Sequence, residues 1–178
     1  MKVLVGYATA AGSTEGIAHW IADRLSARGH EVVTNALGER TEATGYDAYV
    51  LGSAVHDQAW LPAGATFLRH QRKCLKDAPV WLFSVGLPGA LRGPLRRWAG
   101  LEAAKILGEL ADDVTPVEHR LFTGVVSKGA FGRFGALAFR AVGGRFGDFR
   151  DRAAVEAWAD GIADSLDAAK VATIHRPQ

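Results

Sequence analysis

Apolar positions along the chain follow two rhythms that alternate. Nearly unbroken apolar runs, such as Ala48-Tyr49-Val50-Leu51-Gly52 and Val80-Trp81-Leu82-Phe83, suit strands buried on both faces. They predict strands at 2–7, 30–35, 47–53, 79–85 and 117–125. Between them the period changes to that of a helix. Ile17, Ala18, Ile21, Ala22 and Leu25 share one face of a helix over 14–28. Val155, Trp158, Ala159, Ile162, Ala163 and Leu166 do the same over 151–168, with Asp151 placed to cap it. Further helices are expected at 62–75, 101–111 and near 130–142. Gly29, Gly45, Pro62, Pro79 and Pro116 stand at the breaks. Strand and helix in alternation predict an α/β fold: a doubly wound, five-stranded parallel sheet with helices on both faces. The 178 residues suit a single domain, 1–178.

The first strand runs into Thr9-Ala10-Ala11-Gly12-Ser13-Thr14, a loop of small and hydroxyl residues that opens a helix. Free N–H groups and the positive end of the helix dipole converge there, which makes an anion site. Thr9, Ser13 and Thr14 add hydroxyl donors, and the loop holds no Lys or Arg. Neutral donors alone favour one terminal phosphate, as on a mononucleotide, over a triphosphate with magnesium. The Walker loop is excluded, because Ser13 stands where Lys is required after Gly12. The G-x-G-x-x-G fingerprint is absent as well. A phosphoacceptor receiver is excluded by Tyr7 and Ser53, which stand where acidic residues are needed.

In a doubly wound sheet the ligand lies at the carboxyl ends of the strands. Three segments should meet there: Thr9–Thr14, Ser53–Trp60 and Ser84–Gly89. Small residues at Ser53 and Ala54, then Val55, would let backbone approach a ring, with His56 or Trp60 covering it. Ser84, Val85, Gly86 and Leu87 form the third wall. Trp60 has a plain alternative in packing against the next helix. His56 is a candidate general acid, a donor to a ring carbonyl, or a solvated loop residue.

Cys74 is the only cysteine, so no internal disulfide forms and no redox or zinc motif arises. No apolar run reaches membrane-spanning length and no leader precedes the first strand, so a cytoplasmic protein is expected. The net charge of +2 is unevenly spread. Arg120, Lys128, Arg133, Arg140, Arg145 and Arg150 face only Asp148 within 119–150. A basic aromatic insertion around 126–150 follows: a helical wheel puts Phe131, Phe134, Ala138 and Val142 on one face and Arg133 and Arg140 opposite. Gly143-Gly144 would end that helix. Either its phenylalanines pack on the core, or the face meets lipid, quinone or a flat macrocycle. Arg133, Arg140 and Arg145 are candidates for an anionic substrate or membrane surface. No nucleic-acid partner and no metal site are expected.

Tyr7-x-Thr9-x-x-Gly12-x-Thr14-x3-Ala18-x-x-Ile21 resembles the flavodoxin signature, with Gly6 in place of the usual bulky apolar residue. The resemblance implies FMN, its phosphate held by Thr9, Ala10, Ala11, Gly12, Ser13 and Thr14. It also implies an isoalloxazine ring between the second and third segments, although the third lacks the acidic, tyrosine-bearing pattern of electron carriers. Carrier flavodoxins are strongly acidic, and this chain is not. The whole layout is similar to bacterial menaquinone-dependent protoporphyrinogen oxidases and their flavodoxin-domain relatives. The points of likeness are Gly52-Ser53-Ala54, the Arg-rich aromatic segment, and Asp148-Phe149-Arg150-Asp151 before the Trp158 helix. That likeness implies oxidation of protoporphyrinogen or a related anionic tetrapyrrole, quinone as acceptor and peripheral membrane contact. An electron carrier for a redox partner protein and a non-enzymatic module for a phosphate ligand are the alternatives.

Overall fold

The computed structural model describes residues 1–87, 105, 106, 108, 110, 112–127, 137, 139–141 and 143–174. The strands are β1 (Lys2–Ala8), β2 (Glu31–Ala36), β3 (Ala48–His56), β4 (Ala59–Trp60), β5 (Val80–Gly86), β6 (Glu118–Thr123), β7 (Val125–Val126) and β8 (Gly147–Asp148). The helices with full bounds are α1 (Ser13–Ala27), α2 (Pro62–Lys76) and a terminal helix, here α3 (Arg152–Ile174). Lys105, Ile106, Gly108 and Leu110 are helical too, within the segment expected at 101–111.

The main sheet has the order β2-β1-β3-β5-β6, all parallel, with β4 added antiparallel to β3. The chain thus reverses direction of winding between β1 and β3, which opens a crevice at their carboxyl ends. Register brings Ala8 beside Ser53 and Ser53 beside Ser84, so the three site loops leave the sheet at one level.

Strand alternation divides the core. Val3, Val5, Val50, Trp81 and Phe83 face α1 and α3, meeting Ile17, Ile21, Trp158, Ile162 and Leu166. Leu4, Leu51 and Leu82 face α2, meeting Phe67, Leu68, Ile106 and Leu110. Each fully buried side chain of this kind contributes about 1.5–3 kcal/mol relative to exposure. Asp151 caps α3, accepting the Ala154 N–H at 3.0 Å. Arg24 and Arg28 bind Asp160 from α1, fixing the two helices side by side.

Three features depart from the sequence expectation. Strand 117–125 is broken at Gly124, where β6 stops and β7 turns away. β3 continues to His56 and folds back through a tight turn into β4. The arm forms its own small cluster of Val126 and Phe139 with Phe146 and Phe149. Its buried phenylalanine is Phe139, absent from the expected apolar face, and Arg140 is exposed. Phe131, Arg133, Phe134, Ala138 and Val142 lie outside the described residues. The helix there ends as expected: the Gly144 N–H reaches Phe139 O at 2.8 Å and the Gly143 N–H reaches Arg140 O at 3.0 Å.

Candidate functional site

At the carboxyl end of the sheet lies a cleft of about 450 Å³. Its first wall is the loop between β1 and α1. Gly12 adopts φ 83° at the N-cap, a left-handed conformation suited to glycine. Its N–H donates to Thr9 Oγ1 at 2.9 Å, which closes the loop. Among the described residues no side chain caps α1, so the first-turn N–H groups at the cleft edge keep their donors free of a cap. Thr14 is fully buried and its Oγ1 has no hydrogen-bond partner, although the residue lines the cleft. A buried hydroxyl left so costs about 1–3 kcal/mol, and an acceptor in the cleft would recover it.

Ala54, Val55, His56 and Asp57 form the second wall, and Val85, Gly86 and Leu87 the third. His56 is highly exposed at the mouth, its Nε2 3.5 Å from Asp57 Oδ2. The fourth wall, Gly124 to Ser127, was not expected. Val125 donates its N–H to Ser13 Oγ at 3.0 Å, and Gly124 sits so close that a Cβ there would lie 2.9 Å from Val85 Cγ1. A glycine interrupting a strand pattern was the available signal for this close approach.

Three expected wall residues lie under the floor instead. Ser53, Ser84 and Trp60 are buried on the α2 side of the sheet and do not line the cleft. Because β4 folds back on β3, Trp60 pairs with Val55 and its ring enters the core rather than covering a ligand. Its Nε1–H donates to Ser84 Oγ at 2.8 Å, while Ser53 Oγ accepts the Leu61 N–H at 3.0 Å. Gly12 shapes the first wall without lining it. Arg145 stacks on Phe149, 5.0 Å from the ring centre, and is not among the described lining residues.

Electrostatics agree with a neutral-donor anion site: among the described residues no Lys or Arg lines the cleft, and the ionisable lining groups are His56 and Asp57. Tyr7, just before the loop, donates to Glu15 Oε1 at 3.0 Å; burial, then Glu15, pushes its phenol above the ordinary value. The described residues contain no group of three potential metal ligands, and none of their helices is long and apolar enough to cross a membrane.

A family model described as "Flavodoxin domain" matches residues 4–141. The chain belongs to this flavodoxin domain family. Oxidised flavodoxin 2 from Bacillus cereus is similar at 27% identity over 70% of this chain and 85% of its own, with a TM-score of 0.52. A short-chain flavodoxin associated with a non-canonical PDU bacterial microcompartment shares 15% identity over 93% and 98% of the two chains, with a TM-score of 0.59. Rubredoxin oxygen:oxidoreductase from Desulfovibrio gigas shares 18% identity over 94% of this chain, with a TM-score of 0.58. The chain spans only 36% of that larger protein. No curated protein sequence matches significantly.

This flavodoxin-like chain is an FMN-binding domain of the electron-transfer or oxidoreductase type. The residues present fit the cofactor. The orphaned Thr14 hydroxyl, the uncapped helix start and Ser13 Oγ supply neutral donors for a phosphate. Val55, Val85, Leu87 and Val125 supply apolar walls for a ring.

Proposed function

We propose that this domain is an FMN-dependent oxidoreductase acting on an anionic substrate of the tetrapyrrole class, with a quinone as electron acceptor. One observation supports this reading most: the cleft wall is continuous with the basic aromatic arm. Val125 pairs with Asp148 across β7 and β8, and the Phe149 N–H reaches Gly124 O at 3.3 Å. A substrate entering past Leu87 and Val125, both partly exposed, therefore meets the arm at once.

FMN, when bound, supplies the hydride or single-electron chemistry. Thr9 and Gly12 hold the shape of the phosphate loop, and Ser13, Thr14 and the first-turn N–H groups bind the anion. Val85 and Leu87 exclude water from the third wall. Arg140 and Arg145 would pair with substrate carboxylates, and His56 at the mouth would exchange a proton with substrate at Nε2. Arg133 belongs to the same reading.

Anaerobic mixing of the FMN-loaded protein with protoporphyrinogen, followed by a menaquinone analogue, tests it. Bleaching near 450 nm on substrate addition, with recovery on quinone addition, is the expected result. No bleaching by porphyrinogen, with rapid exchange of electrons with a flavoprotein reductase, would overturn it in favour of a carrier.

A further inference from the structure

Beneath the cleft, three side chains from three strands form one hydrogen-bonded line. Trp60 Nε1–H on β4 donates to Ser84 Oγ on β5, and Ser84 Oγ lies 2.8 Å from His119 Nε2 on β6. Trp60 is 5% exposed and Ser84 fully buried. An indole N–H can only donate, and a hydroxyl carries one proton. If His119 also donated, the Ser84 proton would be stranded in a fully buried site. The hydroxyl proton therefore goes to His119 Nε2, and the imidazole carries its own proton on Nδ1. Burial lowers the His119 pKa, in keeping with a neutral ring.

Each member lies on a segment that borders the cleft. Trp60 closes the turn that carries His56 and Asp57, Ser84 precedes Val85, and His119 lies on the strand leading to Gly124. The turn needs holding. Asp57 at φ 51° and Gln58 at φ 64° are both left-handed without being glycine, a conformation that persists only where its surroundings enforce it. α2 adds support from below: a Cβ on Gly64 would lie 3.1 Å from Trp60 Cε3, so the helix packs directly on the indole.

We infer that His119 is a positioning residue for the cofactor: by accepting from Ser84 it directs the hydroxyl that anchors Trp60, and so holds the 56–59 turn against the flavin site. This inference rests on the FMN reading for its effect on the cofactor, but the line of hydrogen bonds exists without it.

Nitrogen NMR of the wild-type protein free of FMN tests the polarity directly. The Nδ1–H tautomer of His119, with Nε2 accepting, is expected; the Nε2–H tautomer would overturn the inference. His119→Leu removes the acceptor, whereas His119→Gln offers an amide oxygen in its place. In the leucine variant, exchange of the Trp60 indole N–H should quicken and FMN should bind about three- to tenfold more weakly, the fold-change of one net hydrogen bond. His119→Gln should restore both. Unchanged indole exchange and FMN affinity in a folded His119→Leu protein would overturn the inference, as would a glutamine variant no better than leucine. If the wild type itself fails to bind FMN, the cofactor reading falls, and the indole exchange still decides the anchoring of Trp60.

Discussion

Ser13 Oγ accepts the Val125 N–H at 3.0 Å, joining residues 112 positions apart in sequence. The bond fastens the anion loop to the wall that leads into the basic aromatic arm. A hydroxyl that accepts one N–H still has its own proton to give, so Ser13 can hold the wall and bind phosphate together.

Ser13→Ala removes both functions. Hydrogen bonds to charged groups are worth about 1.5–3 kcal/mol, so FMN affinity should fall about tenfold or more. Riboflavin, which lacks the phosphate, should lose much less. Fluorescence titration with both ligands checks this, and an equal loss for both would assign Ser13 to the wall alone.

The two glycines Gly52 and Gly16 should respond in opposite ways to alanine. A Cβ on Gly52 would collide with the Phe83 ring, in the packed core between β3 and β5. Gly52→Ala should destabilise by about 1–3 kcal/mol or more. At Gly16 the obstacle is only Arg150 Nη1, 2.5 Å away at the end of a long side chain and not one of the nitrogens that bind Asp148. Helix propensity favours alanine there by about 0.8–1 kcal/mol, so Gly16→Ala should not lower stability. Urea unfolding of both variants measures the contrast.

Stability should fall as pH drops below the ordinary histidine value of 6.5. Burial depresses the pKa of both His119 and His30, against a weaker opposing pull from Asp167 on His30. Between the unfolded value and the lower folded one, the unfolded chain binds protons that the native protein refuses. The stabilising contribution is therefore full above 6.5 and lost as pH falls through the folded values. Urea midpoints from pH 8 to pH 5 should decline, and His30→Gln with His119→Gln should flatten the decline. A rising midpoint would reverse the sign. A separate loss is expected below 3.8, where Arg150 holds the Asp148 carboxyl, and Arg24 and Arg28 that of Asp160, below their ordinary value.

What was legible in the sequence was local. Thr9, Gly12, Ser13 and Thr14 lie within one turn and one helix start, so the loop's place and local geometry could be read from their spacing. The parallel sheet covered by helices on both faces followed from the alternation of buried strands and amphipathic helices. Ser53, Ser84 and Trp60 were misplaced because facing depends on register and on the fold-back at Asp57 and Gln58, which carries no glycine to announce it. Ser53 and Ser84 pair across the sheet and turn toward α2, where they pin the hairpin rather than meet a ligand. The fourth wall rests on a contact across the whole fold, and only Gly124 hinted at it. Phe139 took the buried place in the arm because Gly144 leaves room for its ring: a Cβ there would lie 2.5 Å from Phe139 Cε1.

Thr14 carries the most direct test. Its Oγ1 is buried without a partner in the cleft that we propose takes the cofactor phosphate. Thr14→Val keeps the shape and removes the hydroxyl. FMN affinity should drop about tenfold or more, while the FMN-free protein melts at the same temperature or higher, because the valine buries no unpaired polar atom. Unchanged FMN affinity in the valine protein, measured by titration beside the wild type, would contradict the assignment of this cleft as the phosphate site.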